Sequence, residues 1–172
     1  MSMRKPTKSD IRRMTDEERR GHQGKVGENI VGNYYSELGK LVIFSFNQHD
    51  NVKDLLIEGL KVEVKTEVPF FTKDAFSFRV SQLEKCKNCD LVYFVSVPAY
   101  GRTHFSFGKV YRIRSEKMKY SFYYKDFGPR GKPKMVLVPI RQEGMQEVFD
   151  LTEEHIAKLQ EYSTSSFNKV VM

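Results

Sequence analysis

Apolar residues recur with a helical period in one stretch of this chain and with a strand period in several others. Between Gly24 and Leu38, the residues Val26, Ile30, Val31, Tyr34, Tyr35 and Leu38 form one stripe, and Gly39 follows as a helix-ending residue. Gly27 lies inside that stripe, where it lets the backbone approach a packing partner closely. Glu28 lies at its edge, a costly place for a carboxylate without a partner. Upstream, Thr15-Asp16-Glu17-Glu18 reads as a helix start, with Thr15 as N-cap and acids in the first turn. Strands are predicted at Leu41–Phe46, Lys53–Ile57 and Leu60–Thr66, the first two joined by the polar segment Asn47–Asn51. A short helix at Ser81–Asn88 precedes the apolar run Leu91–Val97, a buried strand. Further strands are expected at Thr103–Phe107, Lys109–Ile113, Tyr120–Tyr124 and Met135–Ile140. A closing helix is expected over Thr152–Tyr162, capped by Asp150 or Thr152. This order predicts an α/β (α+β) domain with a mixed central sheet flanked by helices. Residues 1–21 are read as a basic arm or short helix, and 22–172 as one domain with core 24–97 and extension 98–172.

The chain's 172 residues suit one domain with a substantial core. No run approaches the ~20 apolar residues of a membrane span, and no apolar run backs the basic N-terminus, so a cytoplasmic or nucleoid-associated protein is expected. The net charge of +7 is uneven: residues 1–25 carry +4 and residues 101–134 carry +8, leaving −5 for the remainder. A polyanion lying on basic segments and acted on at an acidic centre fits that distribution. The basic residues expected to meet it are Arg12, Arg13, Arg19, Arg20 and Lys25, then Arg102, Lys109, Arg112 and Arg114. Interleaved aromatics in 100–134, such as Tyr100, Phe105 and Phe122, suit base stacking or ordinary packing.

The acidic centre is expected in the hairpin Lys53–Lys65. With strand alternation, Glu63 and Lys65 share one face while Val62 and Val64 share the other. A turn at Glu58-Gly59 with Ile57 opposite Leu60 sets Asp54 across from Glu63, whereas a three-residue loop would shift the register by one. Carboxylates opposed with Cβ atoms ~4.5–5.5 Å apart repel each other unless something compensates, and a divalent cation would do so. Asp54 and Glu63 would be its carboxylate ligands, the Val64 carbonyl a further oxygen, and Glu28 a holder of a bound water or second ion. Lys65 would orient the nucleophile or offset charge developing on a phosphate. These are the parts needed to hydrolyse a phosphodiester.

The pattern resembles the PD-(D/E)xK nuclease superfamily, the restriction-endonuclease-like fold. That family places a glutamate on a helix, an aspartate on a strand and an E-x-K motif on the next strand. The matching residues are Glu28 in GKVGENIVGNYYSELG, Asp54 in VKDLLIEG, and Glu63 with Lys65 in VEVKTE. In many members a glutamine opens the following helix, and Gln82 in SQLEKCKN stands there, where it would join the site or simply cap the helix. Gly24–Val97 looks most like the archaeal Holliday junction resolvase branch. The residue before the aspartate is Lys53 where the family usually has proline, which leaves Asp50 as a rival. The resemblance implies a Mg²⁺- or Mn²⁺-dependent endonuclease acting on junction, branched or duplex DNA, leaving 5′-phosphate ends and working as a homodimer. A catalytically silent nucleic-acid-binding module and an RNA endonuclease are the alternatives. No phosphate-binding loop of the G-x-x-x-x-G-K type is present, so no nucleotide cofactor is expected. Cys86 and Cys89 form a lone C-x-x-C, read as two thiols at a helix end rather than half a zinc site.

Overall fold

Reciprocal side-chain caps start the N-terminal helices. The computed structural model describes residues 5–45, 54–123 and 135–163. Thr7 and Asp10 exchange bonds at the start of α1 (Lys8–Arg13), and Thr15 and Glu18 do the same for α2 (Asp16–Glu37). The Thr15 start is as the sequence predicts. The helix then continues unbroken past Gly21 and Gly24, so the division expected after residue 21 falls inside one element. It stops where Gly39 takes φ +81°, donating to Ser36 O, while Lys40 N–H reaches back to Tyr35 O. Leu38, counted in the apolar stripe, is instead 58% exposed at this end.

Three antiparallel strands follow: β1 (Val42–Phe44), β2 (Leu55–Ile57) and β3 (Leu60–Glu67). The β2–β3 turn has the predicted two residues, Glu58 at φ +49° and Gly59 at φ +80°. Two positive φ values are what a type I′ hairpin turn requires. They fix Ile57 opposite Leu60 and Leu55 opposite Val62. After β3 the chain forms β4 (Ala75–Arg79), a 3₁₀ turn at Val80–Gln82 and α3 (Leu83–Asn88). It then returns as β5 (Leu91–Ser96), parallel to β3. The remaining elements are β6 (Lys109–Arg114), β7 (Ser121–Tyr123), β8 (Met135–Pro139), β9 (Gln146–Asp150) and α4 (Glu153–Glu161). They complete a six-stranded mixed sheet, β1-β2-β3-β5-β6-β9, and a three-stranded sheet, β4-β8-β7. This is an α/β architecture with a mixed central sheet, as the sequence pattern indicates.

The central sheet has an apolar core on each face. Ile30, Val31 and Tyr35 of α2 and Leu159 of α4 pack with Val62, Val64, Tyr93 and Val95 on one side. Phe76 and Phe78 of β4, Val136 and Val138 of β8 and Cys86 of α3 pack with Val92 and Phe94 on the other. Phe76 stacks on Phe94 with ring centroids 4.5 Å apart. Because β3 alternates, Glu63 and Lys65 project into the second side, beside Val92 and Phe94.

Two features depart from the sequence reading. Thr103–Phe107 is a looped segment, not a strand: His104 bonds Ser106 and Asp74, and Gly101 and Gly108 take φ +67° and +72°. Strands β4 and β9 were not predicted, since Phe76-Ser77-Phe78 is a short alternation and Gln146–Asp150 has few apolar residues. The α4 cap is Thr152, one of the two expected residues, and it pairs with His155. The predicted Asn47–Asn51 turn, with Asp50, and the residues Phe46, Lys53 and Tyr124 lie outside the described residues.

Gly27 fulfils its predicted role, because a Cβ there would collide with the Thr66 side chain of β3. Gly21, on the same helix, has no neighbour near its missing Cβ. Gly27→Ala is therefore expected to destabilise the fold by ~1–3 kcal/mol. Gly21→Ala should stabilise it by ~0.5–1 kcal/mol, both read from denaturant midpoints. Equal effects of the two substitutions would contradict this packing.

Candidate active site

The hairpin turn sets the register that brings Asp54, at the start of β2, to Glu63 on β3. Both are buried, at 8% and 1% exposure. Asp54 Oδ2 accepts the Val64 N–H at 2.9 Å. The N–H and C=O of a strand residue point to the same side, so the Val64 carbonyl lies on the edge of β3 where its N–H meets Asp54. Asp54 Oδ1 takes the Lys85 ammonium of α3 at 2.7 Å, and the same Nζ lies 3.5 Å from Glu63 Oε1. Glu63 Oε2 is buried, has no hydrogen bond among the described residues, and lies 3.7 Å from Lys65 Nζ.

Lys65 is held from two further sides. Its Nζ donates to Gln82 Oε1 at 3.0 Å and sits 5.6 Å from the Phe78 ring centroid. Gln82, at the start of α3, makes no capping bond with its side chain, so its amide faces Lys65 rather than the helix end. Glu28 reaches the group from the opposite side of the sheet on α2, and its Oε2 lies 3.4 Å from Lys25 Nζ. Five of the predicted residues thus gather at one place. Lys85 was missed, and the signal that could have found it is its position three residues, about one helical turn, after Gln82.

Charge in this cluster is unequally shared. Burial, together with a hydrogen bond to Asp54, pushes the Glu63 carboxyl up to about 8. Burial would also raise Asp54, but the bond from Glu63, the Lys85 ammonium and the Val64 N–H outweigh it and hold Asp54 below the usual carboxylate range. The pair therefore shares one proton well above the usual carboxylate range, with Glu63 the more readily protonated member. Lys85 loses some hydration by burial yet is raised by the two carboxyls. Glu28 is raised by burial and by Asp54, against the pull of Lys25. Further along β3, burial pushes Glu67 up to about 8, although it accepts the Ser77 N–H at 2.6 Å.

No protein-family model, curated protein or solved structure matches this chain. The site must be read from its own geometry.

Among the described residues, no three His, Cys, Asp or Glu side chains are grouped closely enough to hold a metal by themselves. Two carboxyl groups do converge on one cation, the Lys85 ammonium, and a third acidic oxygen, Glu63 Oε2, is buried without a hydrogen bond among the described residues. That donor set suits a hard cation that takes one or two carboxylates and fills its remaining positions with other oxygens. Cys86 and Cys89 do not resemble ligands: they form no disulfide, and burial pushes each thiol up to about 12.

The predicted nucleic-acid contacts divide into committed and exposed groups. Arg19 bonds Ser163 O and Arg12 O, Lys109 pairs with Glu147 at 3.0 Å, and Arg112 bonds Tyr35 and Gln146. These three serve the fold. Arg12, Arg13, Arg20 and Lys25 are exposed on α1 and α2, as are Arg102 and Arg114 elsewhere. Arg102 lies over the Phe71 ring, and Arg114 is 3.6 Å from Glu116. Asp74, His104 and Ser106 form a hydrogen-bonded line with the appearance of a hydrolase triad. Ser106 is completely buried, so the line pins the 98–108 loop to the start of β4.

The folded protein holds the Glu63 proton up to about pH 8, while an unfolded chain releases it near 4.5. Native molecules then carry more protons between those values, so stability falls as pH rises through them, with Glu67 contributing in the same window. Glu63→Gln stays neutral throughout. In EDTA its stability relative to wild type should rise between about pH 5 and 8, by at most ~1.4 kcal/mol per unit, as read by chemical denaturation. Parallel profiles for the two proteins would contradict the assignment.

Proposed function

We propose that this chain is a divalent-metal-dependent endonuclease of the PD-(D/E)xK kind, acting on DNA. The observation that carries the reading is the convergence of buried Asp54 and Glu63 on a single cation, with Lys65 beside the Glu63 oxygen that lacks a hydrogen bond. The order of elements also supports it: a helix with Glu28, a strand start with Asp54, the Glu63–Lys65 strand, Gln82 at a helix start, and an apolar strand. Strand β4 intervenes between the Glu63–Lys65 strand and Gln82 and pairs into the smaller sheet, an addition to that order.

In this reading Asp54, Glu63 and the Val64 carbonyl hold Mg²⁺ or Mn²⁺, with Glu28 placed to fix a water nearby. The bound ion would supply an acidified water and neutralise phosphate charge. Asp54 Oδ2 is fixed by the Val64 N–H, so Oδ1, which here meets Lys85, is the oxygen that would take a metal ion. Gln82 and Phe78 hold the Lys65 ammonium, and a positioned point charge of this sort favours the extra negative charge of a phosphoryl transition state. Exposed Arg12, Arg13, Arg20 and Lys25 supply phosphate contacts along the N-terminal helices. Cutting both strands requires two such sites, so a homodimer is part of the proposal.

Lys85 favours a second reading. An ammonium already placed between the carboxylates would let a nucleic-acid-binding module keep this site without using a metal.

Cleavage of labelled duplex, four-way-junction and single-stranded DNA in Mg²⁺, Mn²⁺ or EDTA separates the two. The nuclease reading expects cutting in metal only, with 5′-phosphate ends. Lys65→Ala should lower the rate ~10²–10³-fold, the usual effect of removing one positioned transition-state contact. Tight binding with no cutting in either metal would favour the silent module, and metal-dependent cutting of RNA alone would change the substrate.

A further inference from the structure

Lys85 and Lys65 approach the same pair of carboxylates but are held differently. Lys65 has two neutral partners that would keep it in place whatever happens to the acids, the Gln82 amide and the Phe78 ring. Among the described residues, the Lys85 ammonium is held by the two acids alone, Asp54 at 2.7 Å and Glu63 at 3.5 Å. Its side chain is 18% exposed, so one flank of the lysine reaches the surface. It is carried by a six-residue helix one turn beyond Gln82. The four-carbon stem of a lysine has several rotatable bonds, and its charge is compact and readily rehydrated.

The oxygens that Lys85 bridges, Asp54 Oδ1 and Glu63 Oε1, are the ones a divalent ion would need. An ion bound by both would enter the space the ammonium fills, and two cations that close repel strongly in a partly buried site. Without an ion, the same ammonium relieves the repulsion between two buried acids that the hairpin register forces together.

We propose that Lys85 is a resident cation of the metal site, which stabilises the metal-free protein and must swing out toward solvent for a divalent ion to bind. This rests on the metal-dependent reading of the site. It gives that reading a property of its own: metal affinity is set by competition with a side chain, and the site stays closed at low metal concentration. Lys85 is thus a positioning residue that governs loading, distinct from Lys65, which stays beside Glu63 in both states.

Two measurements test this. Mn²⁺ titration by calorimetry compares wild type with Lys85→Met, which keeps the length of the side chain and removes its charge. The variant should bind at least ~10-fold more tightly, equivalent to ~1.4 kcal/mol. In wild type, brief acetylation followed by mass spectrometry should show Lys85 modified several-fold faster in saturating Mg²⁺ than in EDTA. Equal or weaker Mn²⁺ binding by the variant, with Lys85 acetylation indifferent to metal, would overturn the inference and leave the metal site standing. No saturable Mn²⁺ binding in either protein would overturn both. If Lys85→Met does not fold, the wild-type acetylation decides: acceleration by Mg²⁺ supports displacement, and an unchanged rate refutes it.

Discussion

Two carboxyl groups buried side by side are the constraint on which this structure turns. Asp54 and Glu63 meet because the Glu58-Gly59 turn permits one register and no other. The turn needs positive φ at both central residues, and any loop of another length would move Glu63 to a different partner. Once the acids meet, the protein must supply positive charge or hydrogen bonds, since an unpaired buried carboxylate is unstable. It supplies the Val64 N–H, the Lys85 ammonium, the nearby Lys65 and a retained proton. Such concentrated compensation is costly for a fold to maintain, and a binding or catalytic role accounts for it better than stability does.

Strand β3 links this chemistry to the core. Its even-numbered residues Val62 and Val64 pack beneath α2, and its odd-numbered residues Glu63 and Lys65 enter the site on the other face. The helix approaches closely because Gly27 has no Cβ to meet Thr66, and that contact carries Glu28 toward the acids. On the site's own face, the small sheet β4-β8-β7 and α3 contribute Phe78, Gln82 and Lys85. The acidic centre is thus assembled between a rigid strand and elements added above it.

What could be read from the sequence was what depends on neighbours in the chain. The Thr15 cap, the stripe of α2 and the Glu63–Lys65 alternation are local patterns, and the two-residue turn was one of two loop lengths open to the hairpin. The pairing of Asp54 with Glu63 and Lys65 followed from them, whereas Gln82 entered only through the family resemblance. Lys85 carries one faint local signal, its spacing of about one helical turn after Gln82. Only the packing of α3 against β3 points it at the acids. The same holds for Arg19, Lys109 and Arg112, which read as free basic charge and prove to be bound by carbonyls, an acid and tyrosines. Thr103–Phe107 alternates like a strand, yet His104 finds Asp74 thirty residues away and folds the segment into a loop.

The central claim is that the Asp54–Glu63 pair is a site for a divalent cation. Calorimetric titration of Mn²⁺ into wild type and Asp54→Asn tests it most directly, since it asks about binding before any substrate is chosen. Saturable binding by wild type, lost in Asp54→Asn while the variant remains folded, is the predicted result. An isotherm unchanged by the substitution would show that the ion binds elsewhere, and the paired acids would then have to be explained without a metal.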